Sequence, residues 1–352
     1  MCSSDLVFLA RCEWQGQCRL NGNDVEIISP SLSPQNEWTP QKLSANANQS
    51  YQGSIVLGMG FTLDEDEAMA LVNKDAKNAD VLFPYLNGED LNSDSHQKPS
   101  RWVINFFDWS IERAKQYADL FSIVEEKVLP DRSLNNDKIA RDFWWRFLRS
   151  RSEMYHAIGR GGSFEKHPKG WSDVPVQEKI LVTARTQNFL KWAILPSKQV
   201  FADRLVILTV PISNFALLSS SIFQEWTRRT STTLKFDINF TPSLTYETFP
   251  FPLSPLPQLE SLGEQLDALR RQIMTSRNIG LTALYNLFHN PAEKDSELEE
   301  MRKLQREIDE AVRDAYGWSN IDLGHGFHEV GYLPANDNVR YTISEPDRKS
   351  VV

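Results

Sequence analysis

The sequence predicts an α+β fold: a mixed or antiparallel sheet flanked by helices, followed by an α-helical hairpin. Three observations predict it. Lys179–Ala184, Phe189–Leu195, Gln199–Phe201 and Leu205–Val210 are short runs rich in Val, Ile, Leu and Phe, separated by turn residues, as in an antiparallel sheet. Thr233–Phe240 alternates, with Leu234, Phe236, Ile238 and Phe240 on one side and Lys235, Asp237 and Asn239 on the other, as in a half-exposed strand. Beyond the Pro-rich run from Phe249 to Pro257, apolar residues recur at helical spacing, first at Leu259, Leu262, Leu266, Leu269 and Ile273, then at Leu298, Met301, Leu304 and Ile308.

In chain order, the first 50 residues are polar, carry Pro30, Pro34 and Pro40, and read as a loose connector. Ser54–Phe61 is an apolar strand candidate interrupted by Gly58 and Gly60. Asp64 with Glu65, Asp66 and Glu67 supplies a cap and an acidic first turn for a helix through Lys74. Val81–Leu86 and Trp102–Phe107 read as strands, and Ser110–Val128 and Asn135–Ser150 as helices. The second of these helices pairs Phe143, Trp144 and Phe147 with an arginine-rich face. Asn214–Arg229 reads as helix again. The prolines after Phe249 end the sheet and set a domain boundary near Pro255. Asn290-Pro291 separates the two terminal helices, whose Glu297, Glu299, Glu300, Arg302, Lys303 and Arg306 read as a solvated face.

Net charge is −9 over 352 residues, yet its distribution is uneven. Asp131–Phe240 carries 17 Lys and Arg against 10 Asp and Glu, a surplus of +7, while the remainder stands at −16. The middle of the chain is therefore a basic island able to meet phosphates. All three cysteines, Cys2, Cys12 and Cys18, fall in the first 18 residues and form no zinc pattern, which suits a reducing cytoplasm. No apolar run is long enough to span a bilayer. The first six residues, Met1 to Leu6, and the last six, Asp347 to Val352, resemble translations of a short sequencing adapter and its reverse complement. Both ends are therefore expected to be artefacts of a gene fragment.

Catalytic motifs find little support. Gly58-Met59-Gly60-Phe61 lacks the third glycine and acidic partner of a nucleotide or S-adenosylmethionine loop, and reads as a turn. The Asn/Asp-Pro-Pro-Tyr/Phe loop that holds a flipped base in amino-methyltransferases requires a Pro-Pro pair, which this chain does not contain. His325, His328 and Glu329 have metal-binding side chains, but flanking glycines suggest a turn rather than a ligand-presenting helix. No hydrolase elbow, Walker loop or carboxylate-metal nuclease core can be assembled. No catalytic, cofactor-binding or metal residue is assigned.

The DNA-contact candidates are Arg141, Arg146, Arg149, Arg185, Lys191, Arg228 and Arg229, basic residues interleaved with aromatics. Lys235, Asp237 and Asn239 join them for base reading. Lysine suits guanine O6 and N7, aspartate accepts from cytosine N4, and asparagine pairs with adenine. The competing account is that these are polar outer faces of a helix and an edge strand.

Several longer strings carry a resemblance. They are Asn78-Ala79-Asp80-Val81-Leu82-Phe83-Pro84-Tyr85-Leu86-Asn87-Gly88-Glu89-Asp90-Leu91-Asn92, Arg101-Trp102-Val103-Ile104-Asn105-Phe106-Phe107-Asp108-Trp109, Tyr246-Glu247-Thr248-Phe249-Pro250-Phe251-Pro252, and Tyr316-Gly317-Trp318 with Asp322 through Glu329. Together they resemble the C-terminal part of large adenine-specific DNA methyltransferases of type IIG and IIL restriction-modification and related phage-defence systems. The resemblance covers roughly residues 50–344. In that family a Rossmann-like catalytic domain using S-adenosylmethionine precedes a target recognition domain and a helical segment, and this chain resembles the last two.

The resemblance implies four regions: a linker remnant at 1–50, a connector from a missing catalytic domain at 51–94, a DNA target recognition domain at 95–254 and a helical segment at 255–346. The implied partners are double-stranded DNA and the missing N-terminal catalytic domain, with no membrane role. The parent would use S-adenosylmethionine to form N6-methyladenine, while this chain alone would be inactive. Two other readings stay open: a stand-alone specificity subunit serving a separate methyltransferase, and a protein-interaction module whose helical hairpin docks a partner.

Overall fold

The computed structural model describes residues 16–20, 22–28, 40–252 and 257–345. The suspected adapter-derived ends, Cys2, Cys12, Pro30 and Pro34 lie outside the described residues. The chain divides into two units, Met1–Gln41 and Lys42–Val352. In the first, β1 (Cys18–Leu20) pairs antiparallel with β2 (Asn23–Val25), a hairpin the connector reading did not anticipate.

The second unit begins with residues expected to be loose that are in fact tied down. Buried Asn46 donates to the carbonyls of Tyr246 and Phe249 at 3.1 and 2.8 Å, and β3 (Ser50–Gln52) enters a sheet. Ser54–Phe61 is not a continuous strand. Only Ser54 and Ile55 form isolated bridges, and Met59–Phe61 is a 3-10 turn. A Cβ on Gly60 would meet the Lys127 carbonyl oxygen at 2.6 Å, so this glycine permits close packing of two backbones. After β4 (Thr62–Leu63), helix α1 (Glu65–Lys74) starts as predicted: Asp64 accepts from the Glu67 N–H at 2.7 Å and Glu67 returns the bond to the Asp64 N–H.

β5 (Leu82–Leu86), α2 (Gly88–Ser93) and β6 (Arg101–Ile104) follow. The single helix expected at Ser110–Val128 is two: α3 (Ile111–Ala114) and α4 (Ala118–Ser133). The break falls where Tyr117 turns inward to stack on Trp109 and donate its hydroxyl to Asp80 at 3.0 Å. α4 passes through Pro130 to reach Arg132, which is buried and donates to the carbonyls of Val56 and Leu57. The helix expected at Asn135–Ser150 shrinks to α5 (Lys138–Asp142). Trp145 and Phe147, two residues apart, are both buried, a spacing incompatible with one helical face. Arg149 instead pairs with Ile55 through reciprocal backbone hydrogen bonds.

α6 (Ser152–Ala157), β7 (Lys179–Ala184), β8 (Thr186–Gln187), β9 (Trp192–Pro196), β10 (Val200–Phe201) and β11 (Leu205–Leu208) come next. The expected antiparallel sheet forms in the order β3-β11-β7-β9. Its strands read as continuous apolar runs because both faces are covered. Leu181, Trp192, Ile194, Val206 and Leu208 enter one core, while Ile180, Val182, Ala193, Leu195, Leu205 and Ile207 enter the other. β10 departs from expectation: it pairs parallel with β5, in a second sheet ordered β10-β5-β6-β4.

The helix expected at Asn214–Arg229 is broken into α7 (Phe215–Ser219) and α8 (Ser221–Thr230) because Ser220 caps the second, accepting from the Phe223 N–H at 3.1 Å. β12 (Thr232–Leu234), β13 (Asp237–Asn239) and α9 (Pro242–Thr245) lead to the terminal helices α10 (Pro257–Arg277), α11 (Leu281–Phe288) and α12 (Ser296–Ala315). α10 packs on α12 as the two apolar stripes predict, and α11, which the sequence reading omitted, packs on both. Leu259, Leu266, Ile273, Leu298, Met301 and Ile308 share one core with the sheet and α8. β14 (Gly326–Glu329) pairs antiparallel with β15 (Val339–Thr342), so His325–Glu329 runs into a strand rather than a turn. The α+β class holds throughout.

A candidate nucleic-acid interface

Thr233–Phe240 is not one strand but a hairpin. The register pairs Leu234 with Asp237, which leaves Lys235 and Phe236 as the turn, and β13 continues the sheet onto β8. Lys235 has a φ of +57°, a left-handed conformation that costs a non-glycine residue roughly 1–2 kcal/mol. The reversal changes the faces. Ile238 and Phe240 are fully buried as expected, but Leu234 and Phe236 are 61% and 52% exposed at the tip instead of facing the core. Asp237 and Asn239 flank buried Ile238 and share the opposite face. Lys235 projects from the turn and not from that face.

Arg228 holds the hairpin in place. Its guanidinium donates to the Phe236 and Asn188 carbonyls, both at 2.8 Å, and lies 4.2 Å from the Tyr332 ring centre. Burial pulls its pKa below the ordinary arginine value, against the favourable fields of Tyr332, Glu225 and Asp237. Arg228 is thus a positioning residue for the tip. Arg229 beside it is exposed. Arg185 joins the same sheet: its carbonyl accepts from the Phe240 N–H at 2.7 Å, and its side chain is half-exposed. Asn239 donates to the Thr232 hydroxyl at 2.9 Å across the hairpin. The structure therefore brings together Arg185, Arg228, Arg229, Lys235, Asp237 and Asn239. It adds Tyr332 and Asn188, which sequence reasoning missed, and Leu234 and Phe236, which it placed on the core side because a Lys-Phe turn carries none of the Gly, Asn or Asp signals of a tight hairpin.

Lys191 lies nearby but is withdrawn. It is 2% exposed, with its ammonium on the Phe189 carbonyl at 3.1 Å. Burial pushes its pKa from 10.5 down to about 8; Asp237 partly offsets this and Arg340 adds to it. The folded-state pKa lies below the unfolded one, so between about pH 8 and 10.5 the unfolded chain binds more protons and stability rises with pH. Below pH 8 the penalty is fully present. Lys191→Met is accordingly expected to raise the melting temperature at pH 7, by up to roughly 3 kcal/mol of stability. It should also flatten the rise in stability between pH 8 and 10 seen by calorimetry.

Arg141, Arg146 and Arg149 are not brought to the hairpin, so the ten candidates do not form the single group expected. They sit beside the second core. Arg141 donates to the Asn135 carbonyl. The Arg146 guanidinium packs 4.6 Å from the Phe143 ring centre and 5.0 Å from that of Trp145, and burial lowers its pKa. Arg149 is exposed. The reason is the failed helix: without it there is no arginine face.

Gly58 and Gly60 shape the turn against α4. His325 bonds Asp309 at 3.0 Å and His328 the Gly324 carbonyl at 2.7 Å, and among the described residues no group of three or more metal-binding side chains converges. No described helix is long and apolar enough to cross a membrane.

The features define a class: an α+β module that presents a strained, cation-bearing hairpin from a sheet braced by terminal helices. Comparison makes the likeness particular. Residues 162–253 match the family described as MmeI, target recognition domain. The fold is similar to that of the type IIL restriction-modification enzyme MmeI, whose structure was solved in complex with DNA. The TM-score is 0.57 at 16% identity, covering 84% of this chain and 36% of that one. The resemblance carried by the sequence strings is thus borne out, by sequence over the hairpin-bearing segment and by fold over most of the chain. No curated protein matches the chain.

Proposed function

We propose that this chain reads DNA sequence for a site-specific adenine methyltransferase of a restriction-modification or phage-defence system. In this reading, N6-methyl transfer from S-adenosylmethionine belongs to a catalytic domain outside the chain, which carries the Asn-Pro-Pro-Tyr loop. The single observation that supports it most is the hairpin of β12 and β13 within the segment matching a target recognition domain. There, exposed Lys235 and Arg229 can meet phosphates while Asp237 and Asn239 offer an acceptor and an amide to base edges. The regions 51–94, 95–254 and 255–346 are proposed as connector, recognition domain and brace. The brace shares the apolar core of the sheet and so fixes the platform from which the hairpin projects.

Titrating a duplex with the chain at increasing salt tests this reading. With Arg185, Arg229 and Lys235 on phosphates, log K is expected to fall with log salt at a slope of roughly −3. Affinity that is absent at low salt, or indifferent to salt, contradicts it.

A further inference from the structure

A second site lies away from the hairpin. A cavity of about 260 Å³ opens among the β5 and β6 strand ends, the glycine-rich turn after α6 and the segment preceding β10. It is smaller than the about 300–1,000 Å³ of pockets for drug-sized ligands, a size suited to one heteroaromatic ring system. Phe83 and Phe107 form an aromatic wall, their rings meeting edge to face with centres 5.8 Å apart. Asn105 lines the cavity and is only 1% exposed. Its Oδ1 accepts from the Phe107 N–H at 2.9 Å, which fixes the amide, and its Nδ2 has no partner among the described residues. This amide borders the cavity without a protein partner, so an acceptor on a ligand can answer it.

The same lining also carries an acceptor. Buried Gln199 donates through Nε2 to the Pro196 carbonyl at 2.7 Å, leaving Oε1 as an acceptor. Cations complete the site: Lys198 is exposed at the rim, and Arg160 is anchored on Ser197 at 2.6 Å and Glu178 at 3.1 Å. Aromatic walls, one amide donor, one amide acceptor and adjacent cations together match a nucleobase carrying a phosphate.

We propose that this cavity binds a mononucleotide unit, either free in solution or extruded from a nucleic acid. The proposal does not rest on the hairpin reading. It assigns the buried Asn105 amide to an acceptor on the base, Gln199 to an amino or imino donor, and Lys198 with Arg160 to the phosphate.

Isothermal titration of the full chain with AMP, GMP, CMP and UMP, and with ribose 5-phosphate as a baseless control, tests it. At least one mononucleotide is expected to bind with one-to-one stoichiometry, and the control about tenfold or more weakly. Asn105→Asp keeps the acceptor for the Phe107 N–H and removes the free donor, so it should weaken binding about tenfold or more. Lys198→Glu, at the exposed rim, should weaken the nucleotide more than its nucleoside, which separates loss of contact from loss of folding. The source of the unit is read from a duplex containing 2-aminopurine. Fluorescence that rises on binding in the wild type but not in Asn105→Asp assigns the unit to an extruded base, while free nucleotide binding without that rise assigns a free ligand. The proposal is overturned if no mononucleotide binds and no fluorescence rise occurs, or if Asn105→Asp and Lys198→Glu both behave as wild type.

Discussion

Replacing Arg302 by alanine is expected to destabilise the chain by roughly 3–5 kcal/mol, seen as a fall in melting temperature on the order of 5–10 °C. The side chain is 1% exposed and emerges from α12 beneath the end of α11. There it donates to the carbonyls of Leu287, Phe288, Asn290 and Glu293 at 2.8–3.2 Å and to Glu299 at 2.7 Å. A helix ends with carbonyls that have no intrahelical partner, and here one guanidinium answers several of them at once. Alanine would bury those oxygens unsatisfied and leave a void against Phe288 and Phe327. Arg302→Lys, with a single donor group, should recover only part of the loss, because an ammonium cannot span the spread of carbonyls that the planar fork reaches. Glu299→Gln, at the half-exposed end of the pair, should change stability by less than about 1 kcal/mol. The sequence suggested that Arg302 lay on a solvated face. The structure corrects this: the residue is buried because α11 covers it.

Arg228→Ala is expected to reduce duplex affinity more than Lys235→Ala or Arg229→Ala, although Arg228 is the least exposed of the three. On the proposed reading Lys235 and Arg229 would each meet one phosphate, and losing one should weaken binding by severalfold at low salt and reduce the salt slope by about one. Arg228 acts differently. Its bonds to the Phe236 and Asn188 carbonyls join the hairpin tip to the loop after β8, and each lost bond of this kind costs about 1–3 kcal/mol. Freed from them, the tip should be ordered less well, and affinity should fall about tenfold or more. Protease cleavage near Lys235 separates the two causes: it should be faster in Arg228→Ala than in the wild type. Equal cleavage in the variant and the wild type would leave Arg228 without the positioning role.

How much of this was legible depended on how local the physics is. The Asp64 cap, the stripes of α10 and α12 and the strands of the central sheet were readable, because capping and side-chain period act within a few residues. The pairing of Val200–Phe201 with Leu82–Leu86 was not, since the partner lies far away in sequence and no period announces it. Asn135–Ser150 misled because Phe143, Trp144 and Phe147 fit a helical stripe, whereas burial of Trp145 requires a different backbone. The hairpin carried the largest consequence. Alternation from Thr233 to Phe240 is genuine, but the chain turns at Lys235 through a left-handed conformation that lysine seldom adopts. The basic candidates were therefore found by residue type, while their division into a hairpin group and a separate group beside the second core needed the fold.

The most direct measurement is selection of bound duplexes from a randomised pool by the wild-type chain, by Asp237→Asn and by Asn239→Asp. The account predicts that the wild type enriches one sequence and that each variant changes the preferred base at one position while leaving the rest intact. Enrichment of no sequence by the wild type, or of the same sequence by all three chains, would contradict reading by this hairpin.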